Sequence, residues 1–281
     1  MQLRPGEMPL MRQLILQLAG VSLDDSKGYL VETRLGPIAV KAGCANFNEL
    51  YFRLRYGGEP ALAQQVVDAI TTHETTFFRD GAPFDALQHK LLPEAIEARE
   101  RAGLPRKLRI WSAACSTGQE PYSIGMVLHE LLGDLKGWDI QIHATDISKS
   151  TLETAEKAVF PDHEMVRTTR PLLVSRYFEK VPGGHRVVEP VRKLVTFRQL
   201  NLLAPLSGFG PFDIVLLRNV LIYFEPAKRR DLALRAASTL LPHGWLMVGA
   251  SENLMDVGPQ FVPQIHCGAT VYQPGAPVAT R

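Results

Sequence analysis

Four polar residues stand at or just beyond the ends of strand-like stretches: Glu120 beyond the apolar run that ends at Ala114, Asp146 after the alternating 139–145, Asn201 after 194–200 and Asn219 beyond 212–217. Short apolar runs without helical period read as buried strands. If these strands are parallel, the four residues share the carboxyl edge of one sheet, where open α/β folds bind ligands. A carboxylate there can face a cation or bond ribose hydroxyls, and Asn201 beside Leu202 offers amide-type partners and an apolar slot for a purine ring. The loop Cys115-Ser116-Thr117-Gly118-Gln119-Glu120 is neither Gly-x-Gly-x-x-Gly nor a Walker loop, so a pyrophosphate cradle is not indicated. A phosphate-free ligand carrying adenosine fits better, and S-adenosylmethionine is one. Glu120 would meet its ammonium, Asp146 its ribose and Asn201-Leu202 its adenine. Asp146 has a second reading, as the N-cap of a helix over 149–158.

These residues must be positioned by a regular α/β repeat. Leu108 to Ala114 is the first strand, Gly118 allows the tight turn, and Pro121 opens a helix over 122–132 with Ile124, Val127, Leu128 and Leu131 on one face. A helix over 84–102 precedes it. The second strand covers 139–148. Residues 172–197 read as a small antiparallel insert about the Gly183-Gly184 turn. Residues 194–203 return to the sheet, and 212–217 is its most apolar strand. A helix from Pro226 through Leu241, a strand over 244–251 and a hairpin about Cys267-Gly268 complete the domain. The tail after Pro274 reads as disordered.

Residues 9–70 read instead as a helical module, in which Gly36-Pro37 should kink or end a helix. Lys27, Arg34 and Lys41 recur every seven residues, followed by Arg53 and Arg55. They read either as a solvated face or as a docking face for an acidic partner. Thr71-Thr72-His73-Glu74-Thr75-Thr76-Phe77-Phe78-Arg79-Asp80 joins the two parts. It is read either as a packed connector whose aromatics fill a crevice, or as a lip of the ligand site with Arg79 available to a carboxylate.

The net charge of +2 gives no global attraction to nucleic acid or acidic lipid. Cys44, Cys115 and Cys267 are far apart and odd in number, which argues against a disulfide framework or a Cys-based zinc site and suits the cytosol. The eight histidines have no metal-ligand spacing. The first twenty residues are too broken for a signal peptide, and no run reaches the roughly 20 apolar residues of a membrane span.

Taken together and in order, the Thr71–Asp80 stretch, Trp111–Ser123, Ala144–Ser148, Asn201-Leu202-Leu203 and Arg218–Phe224 resemble the CheR family of bacterial chemotaxis receptor methyltransferases. The resemblance runs over nearly the whole chain. It implies an α/β, Rossmann-like SAM-dependent methyltransferase sheet with an N-terminal all-helical domain (1–72), a linker that contributes to the cofactor site (73–83) and a cofactor domain (84–281) carrying the insert. It implies S-adenosylmethionine as donor, S-adenosylhomocysteine as product, and glutamate γ-methyl esters on the cytoplasmic helical region of chemoreceptors. By position it assigns His73, Thr75, Arg79, Glu120, Asp146, Asn201, Leu202, Asn219 and Val220 to the cofactor, and Arg79 and Tyr223 to the active site. His73 stands where the family has Asn. Lys27, Arg34, Lys41, Arg53 and Arg55 match the receptor-docking face, and the insert resembles a subdomain that captures a receptor's C-terminal peptide in some members, although its turn at 181–186 is short.

Such a reaction needs no general base, because a glutamate of ordinary pKa, about 4.3, is already ionised at neutral pH. In-line transfer then requires desolvation, alignment and proximity. A nucleobase amine methyltransferase is a rival, but it would need a polar-Pro-Pro-aromatic loop where Arg218-Asn219-Val220-Leu221 stands. A dehydrogenase would need the glycine fingerprint. A cofactor-binding adaptor without catalysis is the third alternative.

Overall fold

The apolar runs beyond residue 106 form a seven-stranded sheet in the order β6-β2-β1-β7-β8-β10-β9 in this computed structural model, which describes residues 1–274. The strands are β1 (Lys107–Ala113), β2 (Asp139–Asp146), β6 (Val195–Gln199), β7 (Phe212–Leu217), β8 (Leu240–Val248), β9 (Gln264–His266) and β10 (Ala269–Tyr272). The first five are parallel, and the β9–β10 hairpin closes the sheet antiparallel to β8. The chain winds outward from β1 through β2 to β6, then returns to β7 on the other side of β1. The order reverses between β1 and β7, and a crevice opens there at the carboxyl edge. All six residues of β7 are buried, as an apolar strand covered on both faces must be.

A three-stranded antiparallel sheet, β3 (Val159–Phe160), β5 (Gly184–Val187) and β4 (Phe178–Val181), lies beside it. The expected insert over 172–197 is therefore corrected at both ends. It recruits β3 from further upstream, whereas Glu189–Arg192 is helical and Val195–Gln199 pairs with β2. Phe77 explains the early start, since its ring packs edge-on against Phe160 at 4.8 Å and Phe178 at 5.1 Å, tying both strands to the connector. The helix from Pro226 stops at Ser238 rather than Leu241, because Leu240 already pairs with Phe212 as the start of β8. The expected disorder after Pro274 falls on residues outside those described.

The N-terminal helices enclose their own core of Met11, Leu14, Ile15, Val31, Leu35, Phe47, Leu50, Val66 and Ile70. Residues 25–41 stay helical through Gly36-Pro37, so of the kink or end expected there the helix does not end. A π-turn at Val31–Leu35 precedes the proline. The same device recurs at Leu87–Leu91 ahead of Pro93. A proline has no N–H to give the carbonyl four residues back, and a wide turn before it shifts the hydrogen-bond register past the gap.

The module sits on the carboxyl edge of the sheet. Ser22 N donates to Tyr223 O at 2.9 Å, Asn201 Nδ2 to Leu18 O at 3.0 Å and Gln64 Nε2 to Ile147 O at 3.2 Å. Among the described residues no helix is long and apolar enough to cross a membrane.

Candidate active site

A cavity of about 260 Å³ lies where module, connector and sheet edge meet. Glu120, Asp146, Asn201, Leu202, Asn219, Val220 and Tyr223 line it from the sheet side, and His73, Thr75 and Arg79 from the connector. All ten residues anticipated from the sequence thus reach one enclosure. Lys27 and Arg34 line it from the helical module.

The loop after β1 is shaped by backbone that L-residues seldom adopt. Ala114 (φ 56°), Ser116 (φ 51°) and Gly118 (φ 96°) are left-handed, as are Phe78 (φ 54°), Asp80 (φ 70°) and Asn219 (φ 55°) around the same cavity. Of eight non-glycine residues with positive φ among those described, Ala114, Ser116 and Asn219 line the cavity, and Phe78 and Asp80 flank its Arg79. Strain of about 1–3 kcal/mol per residue persists only where the surroundings impose it, and it concentrates at functional sites.

Glu120 begins the helix Gln119–Leu132 and is held on both oxygens. Ser112 Oγ donates to Oε1 at 2.7 Å, and Arg218 Nη1 donates to Oε2 at 2.8 Å. Arg218, with a 1% exposed side chain, also donates through Nη2 to Asp80 Oδ2 at 2.8 Å and Arg79 O at 3.0 Å, and lies 5.6 Å over the Phe84 ring. Two carboxylates therefore share one guanidinium, leaving one negative charge beside the cavity. Sequence reasoning quoted Arg218 within a motif but gave it no role. A charge directly after the most apolar strand was the available signal.

Asp146 is 6% exposed and organises two loops. Its Oδ2 accepts from Ser116 N and its Oδ1 from Ser148 N, both at 2.9 Å. Burial pushes its carboxyl above the ordinary value, opposed by those N–H groups and by neighbouring His73. The helix Lys149–Lys157 is capped by Ser148, whose Oγ accepts from Thr151 N, so Asp146 is not its N-cap. Asn201 has spent part of its amide on the module, and its Oδ1 accepts from Leu203 N at 2.9 Å. Leu202, Val220 and Phe224 supply apolar wall.

The connector is packed by its aromatics, as one reading had it, and also lines the cavity. Phe77 and Phe78 are buried in the core, whereas His73, Thr75 and Arg79 face the cavity. His73 Nε2 lies 2.9 Å from Thr71 Oγ1, its carbonyl accepts from Ser116 Oγ at 2.8 Å, and Arg79 Nη1 donates to Glu74 O at 2.9 Å. Cys115 also lines the cavity, but burial first, then the Asp146 and Glu120 charges, push its thiol well above the ordinary range. It is no nucleophile at neutral pH.

The basic residues of the module do not form one stripe. Lys27 and Arg34 face the cavity, and Arg34 Nη1 donates to the Ile70 and Thr71 carbonyls at 3.2 and 3.3 Å. Arg53 is engaged by Glu59 through two hydrogen bonds of 2.7 and 2.6 Å and by the Ala42 carbonyl. Lys41 and Arg55 are exposed.

Charges of both signs line the cavity: Glu120, Asp146 and Arg218 from the sheet side, Asp24, Lys27 and Arg34 from the module, and Glu74 and Arg79 from the connector. Glu120 and Asp146 offer acceptors to a ligand's ammonium and hydroxyls, and Lys27, Arg34 and Arg79 offer donors to an anionic group. Among the described residues no cluster of His, Cys, Asp or Glu is arranged to hold a metal ion.

Comparison with known proteins gives a consistent picture. Residues 7–71 match the all-alpha domain of CheR methyltransferases, and residues 73–267 match the CheR methyltransferase SAM binding domain. The chain is 41% identical over 269 residues to chemotaxis protein methyltransferase 1 of Pseudomonas aeruginosa, covering 93% of this chain and 95% of the relative. It is 40% identical over 268 residues to chemotaxis protein methyltransferase Cher2 of Pseudomonas putida, with 93% and 95% covered. For the Escherichia coli chemotaxis protein methyltransferase the identity is 36% over 266 residues, with 92% and 87% covered.

Proposed function

The chain belongs to the CheR methyltransferase family, and we propose that this S-adenosylmethionine-dependent methyltransferase forms γ-methyl esters on glutamate side chains of chemoreceptors. The observation that carries the reading is the meeting of Glu120 and Asp146 with Arg79 and Tyr223 around one cavity. Glu120 holds the donor's ammonium, Asp146 its ribose hydroxyls, and Asn201, Leu202, Asn219 and Val220 its adenine end, with His73 and Thr75 closing the connector side. When bound, the donor would supply an activated methyl group on cationic sulfur, S-adenosylhomocysteine being the leaving group.

The chain's own residues do the rest. Arg79 draws the incoming carboxylate toward the cavity, and the Tyr223 hydroxyl donates a hydrogen bond that orients it. The module roofs the crevice and excludes water. No residue has to remove a proton, because the acceptor arrives ionised. The contribution is alignment of two bound groups, a large share of a two-reactant barrier.

Lys27 and Arg34 at the cavity mouth and the exposed Lys41 and Arg55 elsewhere on the module are the cations offered to an acidic receptor helix. Arg53, paired with Glu59, adds mainly to the module's own structure. The receptor's cytoplasmic helical region as partner places the reaction in the cytoplasm, with neither nucleic acid nor membrane insertion involved.

Incubating the protein with methyl-labelled donor and receptor-rich membranes tests this. The expected result is base-labile label on a membrane protein, and Arg79→Ala should lower its rate at least about a hundredfold without loss of folding. Label on RNA, or cofactor binding without transfer, would instead support the nucleobase or adaptor reading. Near-full activity in the variant would remove Arg79 from the mechanism.

A further inference from the structure

Glu252 lies outside the cavity and is 7% exposed, in the loop after β8. A buried carboxylate needs partners, and those of Glu252 are all backbone N–H groups. Oε2 accepts from Gly249 N at 2.7 Å and Asn219 N at 2.8 Å. Oε1 accepts from Leu221 N at 2.8 Å and Ile222 N at 3.3 Å. Three of the four donors belong to the segment that leaves β7.

That segment carries Tyr223. Asn219 is left-handed at φ 55°, and Leu221–Tyr223 forms a single 3-10 turn. One such turn cannot hold itself, since it satisfies few of its own donors. Glu252 fixes its start, and Ser22 N, donating to Tyr223 O at 2.9 Å, fixes its end from the helical module. Gly249 lets the two loops approach. A Cβ there would meet Glu252 Oε2 at 2.7 Å and Asn219 N at 2.9 Å. An ionised carboxylate is acceptor-only, so it suits four donors as no amide does.

We infer that Glu252 is a positioning residue for methyl transfer, setting the Tyr223 hydroxyl through the backbone of the turn that bears it. The inference rests on the reading of Tyr223 as an active-site residue. Glu252 touches neither donor nor acceptor; an effect passed through Asn219, whose N–H it also holds, would fall on donor KM, whereas one passed through Tyr223 falls on kcat.

The test is a double-mutant cycle on the full chain, with kcat and KM measured for labelled transfer to receptor-rich membranes and urea denaturation run on each variant. Tyr223→Phe lowers kcat. Glu252→Gln sets an amide against N–H donors and lowers kcat by about 10- to 100-fold, with the smaller effect on KM. The double variant is no slower than the slower single variant, because a misplaced turn costs nothing once the hydroxyl is gone. Rates that multiply, or wild-type kcat in Glu252→Gln, would overturn the inference while leaving Tyr223 in place. A wild-type rate in Tyr223→Phe would overturn the reading of Tyr223 and the inference with it. Should Glu252→Gln not fold, Glu252→Asp, which keeps the charge but draws both oxygens back, takes its place in the cycle.

Discussion

Arg218 is where the chemistry of single residues converges, because one buried guanidinium serves Glu120, Asp80 and the Arg79 carbonyl. Removing it strands Glu120 with no counter-ion, and breaking a buried pair from one side costs about 3–5 kcal/mol. Arg218→Met should lose that much in urea denaturation, and Arg218→Lys should recover only part, since a point charge cannot span three acceptors. Asp146 gives a pH signature. Burial raises its pKa in the folded protein, so it takes up a proton on acidification before an ordinary Asp does. Its stability contribution to the ligand-free fold is full below the unfolded value and is lost as pH rises through the raised one. Ligand binding has the opposite sign, because protonation removes the charge and an acceptor. Affinity for S-adenosylhomocysteine, read by calorimetry, should fall as pH drops through that raised value. In Asp146→Asn this part of the profile should be missing. That Glu120, Asp146 and Arg79 would meet around one cavity was legible, because polar residues at strand ends and a cation in the connector mark the sheet's carboxyl edge. Arg218 and Glu252 were not, since their role lies in partners 98 and up to 33 residues away.

At the scale of elements, periodicity and turn chemistry located most strands and helices, and the misses have local causes. Gly36-Pro37 read as a helix kink or end because the rule for proline assumes an α-helical register. The π-turn removes that assumption, and nothing in the residue types of Val31–Leu35 marks it. The insert was misplaced because Val159–Phe160 is too short to carry a pattern and becomes a strand only through its pairing with β5. The seam between module and sheet hinges on Gly20, which ends the helix Glu7–Ala19 at φ 74°. A Cβ there would stand 2.5 Å from the Phe224 ring and 3.2 Å from Leu203. Gly20→Ala should destabilise the protein by about 1–3 kcal/mol in urea denaturation. It should also weaken S-adenosylhomocysteine binding, since Phe224 and Ala19 are cavity walls.

For the molecule as a whole, the division of labour is spatial. The sheet's carboxyl edge holds Glu120, Asp146, Asn201 and Asn219 with Arg218 among them, the module adds Lys27 and Arg34 beside Asp24, and the connector threads between them. The order reversal between β1 and β7 puts the crevice where five distant stretches of chain can meet, which is why co-ordered motifs were more telling than any one of them. The cavity itself was beyond sequence reasoning, because it depends on a helical module docked by Asn201, Ser22 and Gln64 rather than on any periodic pattern. The most direct measurement is a crystal structure of the protein grown with S-adenosylhomocysteine. The account predicts the amino-acid end at Glu120, the ribose at Asp146, the adenine beside Leu202 and the sulfur turned toward Arg79 and Tyr223. A ligand bound elsewhere, with this cavity filled only by solvent, would contradict it.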